Sequence, residues 1–508
     1  ARLDIDVEYD EHGNVTSFRT PLHDAHEFGF TRRDLLETYT PPPARFSGLE
    51  IEASEYRPDG SLRSRTFRGG AVLTTALHPV TGYLRDVAVS GDVAASSMTF
   101  FNDDGGRPER IETNLGDLAF SWDGPVLAQE TWTPRGGAGV DGALGRTVGA
   151  SMLLDADSMY LGASGRSQAY IEYGYDADRL LTSARGLSQV GVALSRSFLD
   201  GPSLTTRVTA ADGTPTALQT VARASRFGEL TSALTTSSEG LVYETLICSR
   251  DELGRITRRV ELWRDGGTVR QIRYAYRYDS HGYLAYAGAS PVTSQSLRPC
   301  TFDESVTRGR TYEYNDAGAR ADLDVNMEDQ AEFDDREYDA LGHLERHGSR
   351  HFVYDVLGRL RSTSVRIARP DPPRRPDGRP MGPPAGIQPG ASYDYDPLGR
   401  LVAVHPFGTS STPEQHFVYR DALNPIAWSR PAAHHCDVGA EDTLFFVYAS
   451  MPDTPDLAYV DECSDGTIDA TWRYLADERG SVRFVVDASS AEVIQEVGLE
   501  VLHGRAHD

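Results

Sequence analysis

The stretch His351–Ser364, HFVYDVLGRLRSTS, has the signature of a β-hairpin. Val353 and Tyr354 are strand formers, Asp355-Val356-Leu357-Gly358 is a turn, and Arg359-Leu360-Arg361 runs back. Asp suits the first turn position because its carboxylate accepts nearby backbone N–H groups. Gly358 suits the position that needs φ > 0, as in a type I turn closed by a G1 bulge. In that register Asp355 pairs with Arg359 and Tyr354 lies opposite Leu360. Such cross-strand pairs are worth about 0.2–1 kcal/mol each. A lone hairpin is marginal in water, so a chain built on this unit must stack many of them.

The pattern aromatic-Asp-x-x-Gly-x-aliphatic recurs without a mismatch at Tyr9-Asp10-Gly13-Val15, Tyr278-Asp279-Gly282-Leu284, Tyr338-Asp339-Gly342-Leu344 and Tyr395-Asp396-Gly399-Leu401. With Tyr354-Asp355-Gly358-Leu360 it marks an internal repeat rather than chance turn chemistry. Degenerate copies keep the frame. Tyr56-Gly60-Leu62 lacks the Asp, Phe30-Leu36 has Asp34 in the Gly slot, and Tyr175-Asp176-Leu181 has Arg179 there. Asp251-Gly254-Ile256 has Arg250 in the aromatic slot, and Tyr314-Gly318 has Arg320 in the aliphatic one. No long stretch has a helical period, so the expected fold is all-β, with little helix.

A length of 508 residues would ordinarily give three or four domains, but stacked repeats bury their faces on one another and escape that rule. With 25% charged and 39% hydrophobic residues the chain is a folded one. No apolar run is long enough for a transmembrane helix, and Ala1-Arg2-Leu3-Asp4 has no signal-peptide character. The repeat begins almost at once, which suggests a piece of something longer. A net charge of −25 opposes binding to nucleic acid or to an anionic membrane. All 50 basic residues are Arg, so Schiff-base chemistry and a phosphate-loop lysine are excluded.

Residues 1–70 hold three hairpin-like units. From Ala71 to about Gly165 the pattern weakens, and the Gly-rich Gly136–Arg146 reads as a loop. Alternation resumes in Gln168–Tyr175, with Ala169, Ile171, Tyr173 and Tyr175 on one side. Ala368–Gly390 is rich in Pro and Gly and reads as an extended insertion outside the sheet. Tyr354 and Tyr395 are 41 residues apart; without these 23 the spacing is 18, close to the 16 between Tyr338 and Tyr354. The chain thus divides into divergent repeats (1–165), repeats (166–367), the insertion (368–390) and C-terminal repeats (391–508). Of the four cysteines, Cys436 and Cys463 flank Leu444–Tyr448 and Leu457–Val460, and a hairpin there would bring them together. A disulfide and two free thiols are both open.

Catalytic signatures are missing. Gly162-Ala163-Ser164-Gly165-Arg166 fails the nucleophile-elbow pattern at its last position, and there is no zinc-protease, Cys-x-x-Cys or dinucleotide motif. His434-His435-Cys436 is the one metal-like cluster, but neighbouring side chains on a strand point to opposite faces. The reading is non-enzymatic, with no cofactor and no metal.

Tyr-Asp-x-x-Gly-x-Leu resembles the YD repeat of RHS proteins, insecticidal toxin complex C components and teneurins. Phe417–Ile426, Phe446–Ala449 with Pro455-Asp456, and Tyr474–Arg483 are similar to further segments of that family. The resemblance implies a long antiparallel sheet wound into a hollow shell that encloses a toxin or other passenger polypeptide, secreted or on the cell surface and delivered by a secretion system. It gives 391–508 the character of the RHS core without its closing segment and toxin. On that reading either the natural protein was cut there or a second chain caps the C-terminal end. A self-cleaving aspartate site in bacterial members uses two Asp-Pro-x-Gly-type motifs. Here only Asp396-Pro397-Leu398-Gly399 is present, inside an ordinary hairpin frame, and self-cleavage is not expected. The alternative function is a surface recognition module for a receptor or glycan.

Overall fold

The structure, a computed structural model, describes residues 5–19, 25–40, 52–67, 70–90, 96–135, 141–162, 167–186, 189–199, 201–265, 267–292, 300, 308–314, 320–326, 336–339, 343–355, 357–366, 387–407, 414–432 and 441–497. Among these there is no α-helix; one 3₁₀ turn, Glu462–Ser464, is the single helical element. Everything else regular is strand, in two antiparallel sheets. The first runs from β1 (Asp6–Tyr9) to β26 (Arg320–Asn326), the second from β27 (Arg336–Tyr338) to β39 (Val493–Glu496). Within each sheet every described strand pairs with the next in sequence, so both sheets are meanders.

The hairpins form because the turn residues satisfy the backbone locally. At the Tyr354 unit Gly358 N–H donates to the Asp355 carbonyl (2.9 Å) and Asp355 N–H to the Arg359 carbonyl (2.8 Å). The Asp355 carboxylate accepts the N–H groups of Leu357 and Arg359 (2.9 Å each) and Arg359 Nε–H (2.7 Å). Gly358 has φ 78°. A bulge precedes the tyrosine, and Tyr354 faces Leu360. The same six-residue offset pairs Tyr9 with Val15, Tyr278 with Leu284, Tyr338 with Leu344 and Tyr395 with Leu401. Gly342 lies outside the described residues. Where the glycine is replaced, Asp34 and Arg179 adopt φ of 60° and 63° themselves, a conformation Asp tolerates better than most.

The repeat also extends where its motif has faded. Thr209 faces Pro215, Ala224 faces Leu230 and Ala476 faces Val482, all with the same offset. Two expectations are corrected. Gly142–Val148 is strand β13, not loop; glycine stands at 142 because a Cβ there would overlap Val418 of the second sheet. Ile387–Gly390, the end of the Pro-rich stretch, opens strand β31 (Ile387–Tyr395), with Pro389 opposite Ser364 beside a register shift, the kind of irregularity at which sheets accept proline. Residues 367–386 lie outside the described residues.

The second sheet packs on the first. β13, β14 (Leu154–Leu161) and β15 (Ser167–Tyr175) meet β33 (Gln415–Tyr419), β34 (Pro425–Pro431) and β35 (Glu441–Val447). Leu144, Met159 and Ile171 share one core with Ile426, Phe445 and Leu457. Cys248 and Cys300 form a disulfide that the spacing did not single out. Cys463 is also disulfide-bonded; Cys436, like His434 and His435, lies outside the described residues.

Candidate functional site: the seam between the sheets and the cleft beside it

Consecutive hairpins are coupled through the repeat residues. The tyrosine hydroxyl donates to the carbonyl of the aliphatic residue one hairpin earlier: Tyr278 to Ile256 (3.0 Å), Tyr314 to Leu284 (3.0 Å) and Tyr395 to Leu360 (2.7 Å). The residue after the glycine lies over the next aromatic ring. Arg255 covers Tyr278 at 4.2 Å, Arg359 covers Tyr395 at 4.8 Å, and His343 stacks on Tyr354 at 4.7 Å. Trp122 takes the tyrosine role in a faded copy, donating to the Pro108 carbonyl (2.9 Å) beneath Arg107. The Gly-Arg pairs at 254, 358 and 399 carried a signal for this stacking that the motif alone did not expose.

Repeat turns of the second sheet are also what dock on the first. Asp396 accepts the N–H groups of Leu398 and Arg400 (2.9 Å each) and Arg400 Nε–H (2.6 Å). Arg400 then reaches Glu130 of the first sheet, so the Asp-Pro tetrapeptide holds a turn against the seam. Arg146 donates to the Arg420 carbonyl, next to Asp421, whose carboxylate accepts the N–H groups of Leu423 and Asn424. Within the second sheet, outside the repeat motif, Asp456 accepts the N–H groups of Ala449 (2.9 Å) and Ser450 (2.6 Å) and Arg473 Nη1–H (2.5 Å).

The most charged part of the seam joins Asp477, Glu478 and Arg483 of the second sheet to Arg259, Glu261 and Tyr274 of the first. Arg259 pairs with Glu478 (2.5 Å), Asp477 (3.3 Å) and Glu261 (3.3 Å) and donates to Tyr276 Oη (2.9 Å). Glu261 accepts Tyr274 Oη–H (2.7 Å), Tyr243 Oη–H (3.2 Å) and Arg483 Nη2–H (2.9 Å). Burial opposes the Arg259 charge, but Tyr276 and the three carboxylates outweigh it and raise its pKa. Burial, reinforced by Glu261, pushes Tyr243 well up. These ion pairs tie the two sheets together, so the cluster acts as a lock rather than as an acid–base pair, with Glu478 Oε1 and Arg483 Nε left without a hydrogen bond among the described residues. Asp157, on β14, is fully buried; burial pushes its carboxyl up, while the Tyr173 hydrogen bond (2.9 Å) and the Arg420 and Arg146 charges pull the other way.

Tyr459 pins the sheets a second time. Its hydroxyl accepts Gly186 N–H (2.6 Å) and donates to the Val190 carbonyl (2.7 Å). Beside it opens a cleft of about 930 Å³. Its floor is a sheet face, where Ser121, Gln129, Gly145, Ser158 and Tyr170 follow one another across five strands. A second row, Ala143, Tyr160 and Gln168, runs beside it. Gly466, Thr467 and Ile468 of the second sheet contribute to the wall. Residues 163–166 and 433–440, which hold the failed elbow and the His-His-Cys cluster, lie outside the described residues.

No protein-family model matches the sequence, and no curated protein matches it. Solved structures do match in fold. The crystal structure of TcdB2–TccC3 superimposes with a TM-score of 0.65 at 12% identity, over 97% of this chain and 27% of that one. The Photorhabdus luminescens Tc holotoxin pore with a mutated TccC3 gives a TM-score of 0.65 at 12% identity, over 97% and 26%. TcdB2–TccC3–Cdc42 gives 0.64 at 12% identity, over 97% and 26%. The fold is therefore of the RHS, toxin-complex-C kind, and the chain spans about a quarter of the length of the chains it matches. Among the described residues no helix is long and apolar enough to cross a membrane.

Proposed function

We propose that this chain is wall material: a non-catalytic shell segment that, as one structural unit over residues 1–508, encloses and protects a toxin or other passenger polypeptide. The observation that carries the reading is the pair of long meanders, 26 and 13 strands each paired neighbour to neighbour, packed on one another. Its likeness to TcdB2–TccC3 assemblies supports it. Such a wall works by exclusion. Its backbone groups are spent within the sheets, its layers are locked by buried ion pairs, and proteases meet stacked hairpins rather than open chain. A capping chain at the C-terminal end, secretion and delivery by a secretion system belong to the same proposal.

The test is co-expression of the chain, with its natural neighbouring sequence, and the polypeptide encoded next to it. A passenger that co-purifies and outlasts its free form under proteinase K supports enclosure. Equal digestion rates with and without the shell reject it.

A further inference from the structure

We infer that the cleft beside the seam is a binding site for a neutral oligosaccharide. This goes beyond enclosure and stands independently of it. At about 930 Å³ the cleft is at the upper end of ligand pockets. Its chemistry departs from the rest of the protein. The chain carries 75 acidic residues, yet among the described residues no carboxylate lines the cleft, and its one charge is Arg146. Arg146 is already committed to the Arg420 carbonyl. Nothing there calls for an ionic ligand.

What the cleft offers is neutral hydrogen bonding. Gln129, Gln168 and Gln189 line it, and among the described residues their amides take no protein partner. Each amide presents a donor and an acceptor side by side, as a sugar hydroxyl requires. Ser158, exposed on the floor, adds another group of the same kind. Tyr170, 39% exposed, supplies a rigid ring with an apolar face and a polar tip, suited to the C–H face of a pyranose. Gly145 keeps the floor low, since a Cβ there would meet Ser158 Oγ at 2.6 Å. A peptide is the poorer fit. Strand addition needs an open sheet edge, whereas this floor is a sheet face whose backbone is already paired on both sides.

The full chain is titrated by calorimetry and saturation-transfer NMR with chitobiose, maltotriose and lactose, with sialyllactose as the charged counterpart and a polyglycine peptide as the polypeptide counterpart. At least one neutral sugar binds saturably, at about millimolar concentration. Tyr170→Ala and Gln168→Leu each weaken it by about tenfold or more, as expected when a stacking ring or a paired amide is lost, while Gln495→Leu, on β39, leaves it unchanged. Circular dichroism confirms that each variant is folded, and Gln129→Leu replaces any that is not. No saturable binding by any neutral sugar, tighter binding of sialyllactose or of the peptide, or affinities indifferent to the cleft variants would overturn the assignment.

Discussion

Two hairpins of the second sheet show how differently the same fold is held. The Tyr354 hairpin joins β29 (Arg350–Tyr354) to β30 (Leu360–Arg366), has the full repeat motif, and is half-buried, with Val353 50% exposed. The hairpin from β35 to β36 (Leu457–Asp461) lacks the motif, yet every residue of β36 is buried. In the first, the turn supplies the order: Asp355 and Gly358 satisfy the backbone within a few residues. In the second, Asp456 also caps the connection, but burial against the other sheet is added through Phe445, Leu457 and Tyr459. Inter-sheet packing therefore adds to turn chemistry where the motif is absent.

The widest separation should come from truncating apolar side chains. Phe445→Ala, in a fully buried site, is expected to cost about 3–5 kcal/mol, and Val353→Ala less than about 1 kcal/mol, because half of that side chain is already in water. Denaturant midpoints measure both, and similar losses would erase the distinction. Ion pairs should separate next. Arg259→Ala strands Glu478 in the seam and takes a cation from Asp477, and should cost about 3–5 kcal/mol. Arg359→Ala removes a partly exposed pair with Asp355, where about 0–1 kcal/mol is expected.

Acid provides a third test. Burial holds the His416 imidazole down to about 4, with His405 assisting and Glu414 opposing. Its folded pKa lies below the unfolded value of about 6.5, so this contribution is intact above that pH and is lost as pH falls from there toward 4. The slope should be at most about 1.4 kcal/mol per pH unit. His405 works oppositely. Burial disfavours its charge, but hydrogen bonds to Glu414 (2.9 Å) and Asp394 (2.8 Å) outweigh that and raise its pKa. Its contribution is present at low pH and lost as pH climbs through the raised value. Melting curves of His416→Gln should lose the acid slope, and an unaltered slope would place the proton elsewhere.

The finest contrast lies between glycines. Gly358→Val should cost about 1–3 kcal/mol in backbone strain plus a clash, since its Cβ would meet His343 Nε2 at 2.8 Å. Gly13→Val, at φ 89° with open space around it, should show the strain alone. Identical shifts in melting midpoint would mean that the histidine simply moves aside.

The fold class was legible because its cause is local. Asp355, Gly358 and their counterparts carry a turn in five residues, and a one-residue slip would turn every side chain over. The faded copies were harder. Trp122 and Pro108 do the work of a tyrosine and a leucine, and nothing in the Gly142–Val148 stretch announces that Val418, far along the chain, needs its glycine. The seam was illegible for the same reason. Arg259 and Glu478 meet only after some forty strands have been laid down, and no spacing rule links them. The cleft too is a product of register: Gln129, Ser158 and Tyr170 belong to three separate hairpin strands, and only the ladder lines them up.

The tyrosine hydroxyls have a direction. In the repeat, Tyr278, Tyr314 and Tyr395 each donate to a carbonyl that precedes them in the chain, that of Ile256, Leu284 and Leu360. A ribosome releases the chain in that same order, at roughly 5–20 residues per second. For these hairpins the acceptor has thus already emerged when the tyrosine appears, and the finished unit is the template for the one being synthesised. Growth of this kind is addition to a standing end, like bricks laid on the course below, and it spares a long β-protein the search among distant strands that makes such topologies slow to fold.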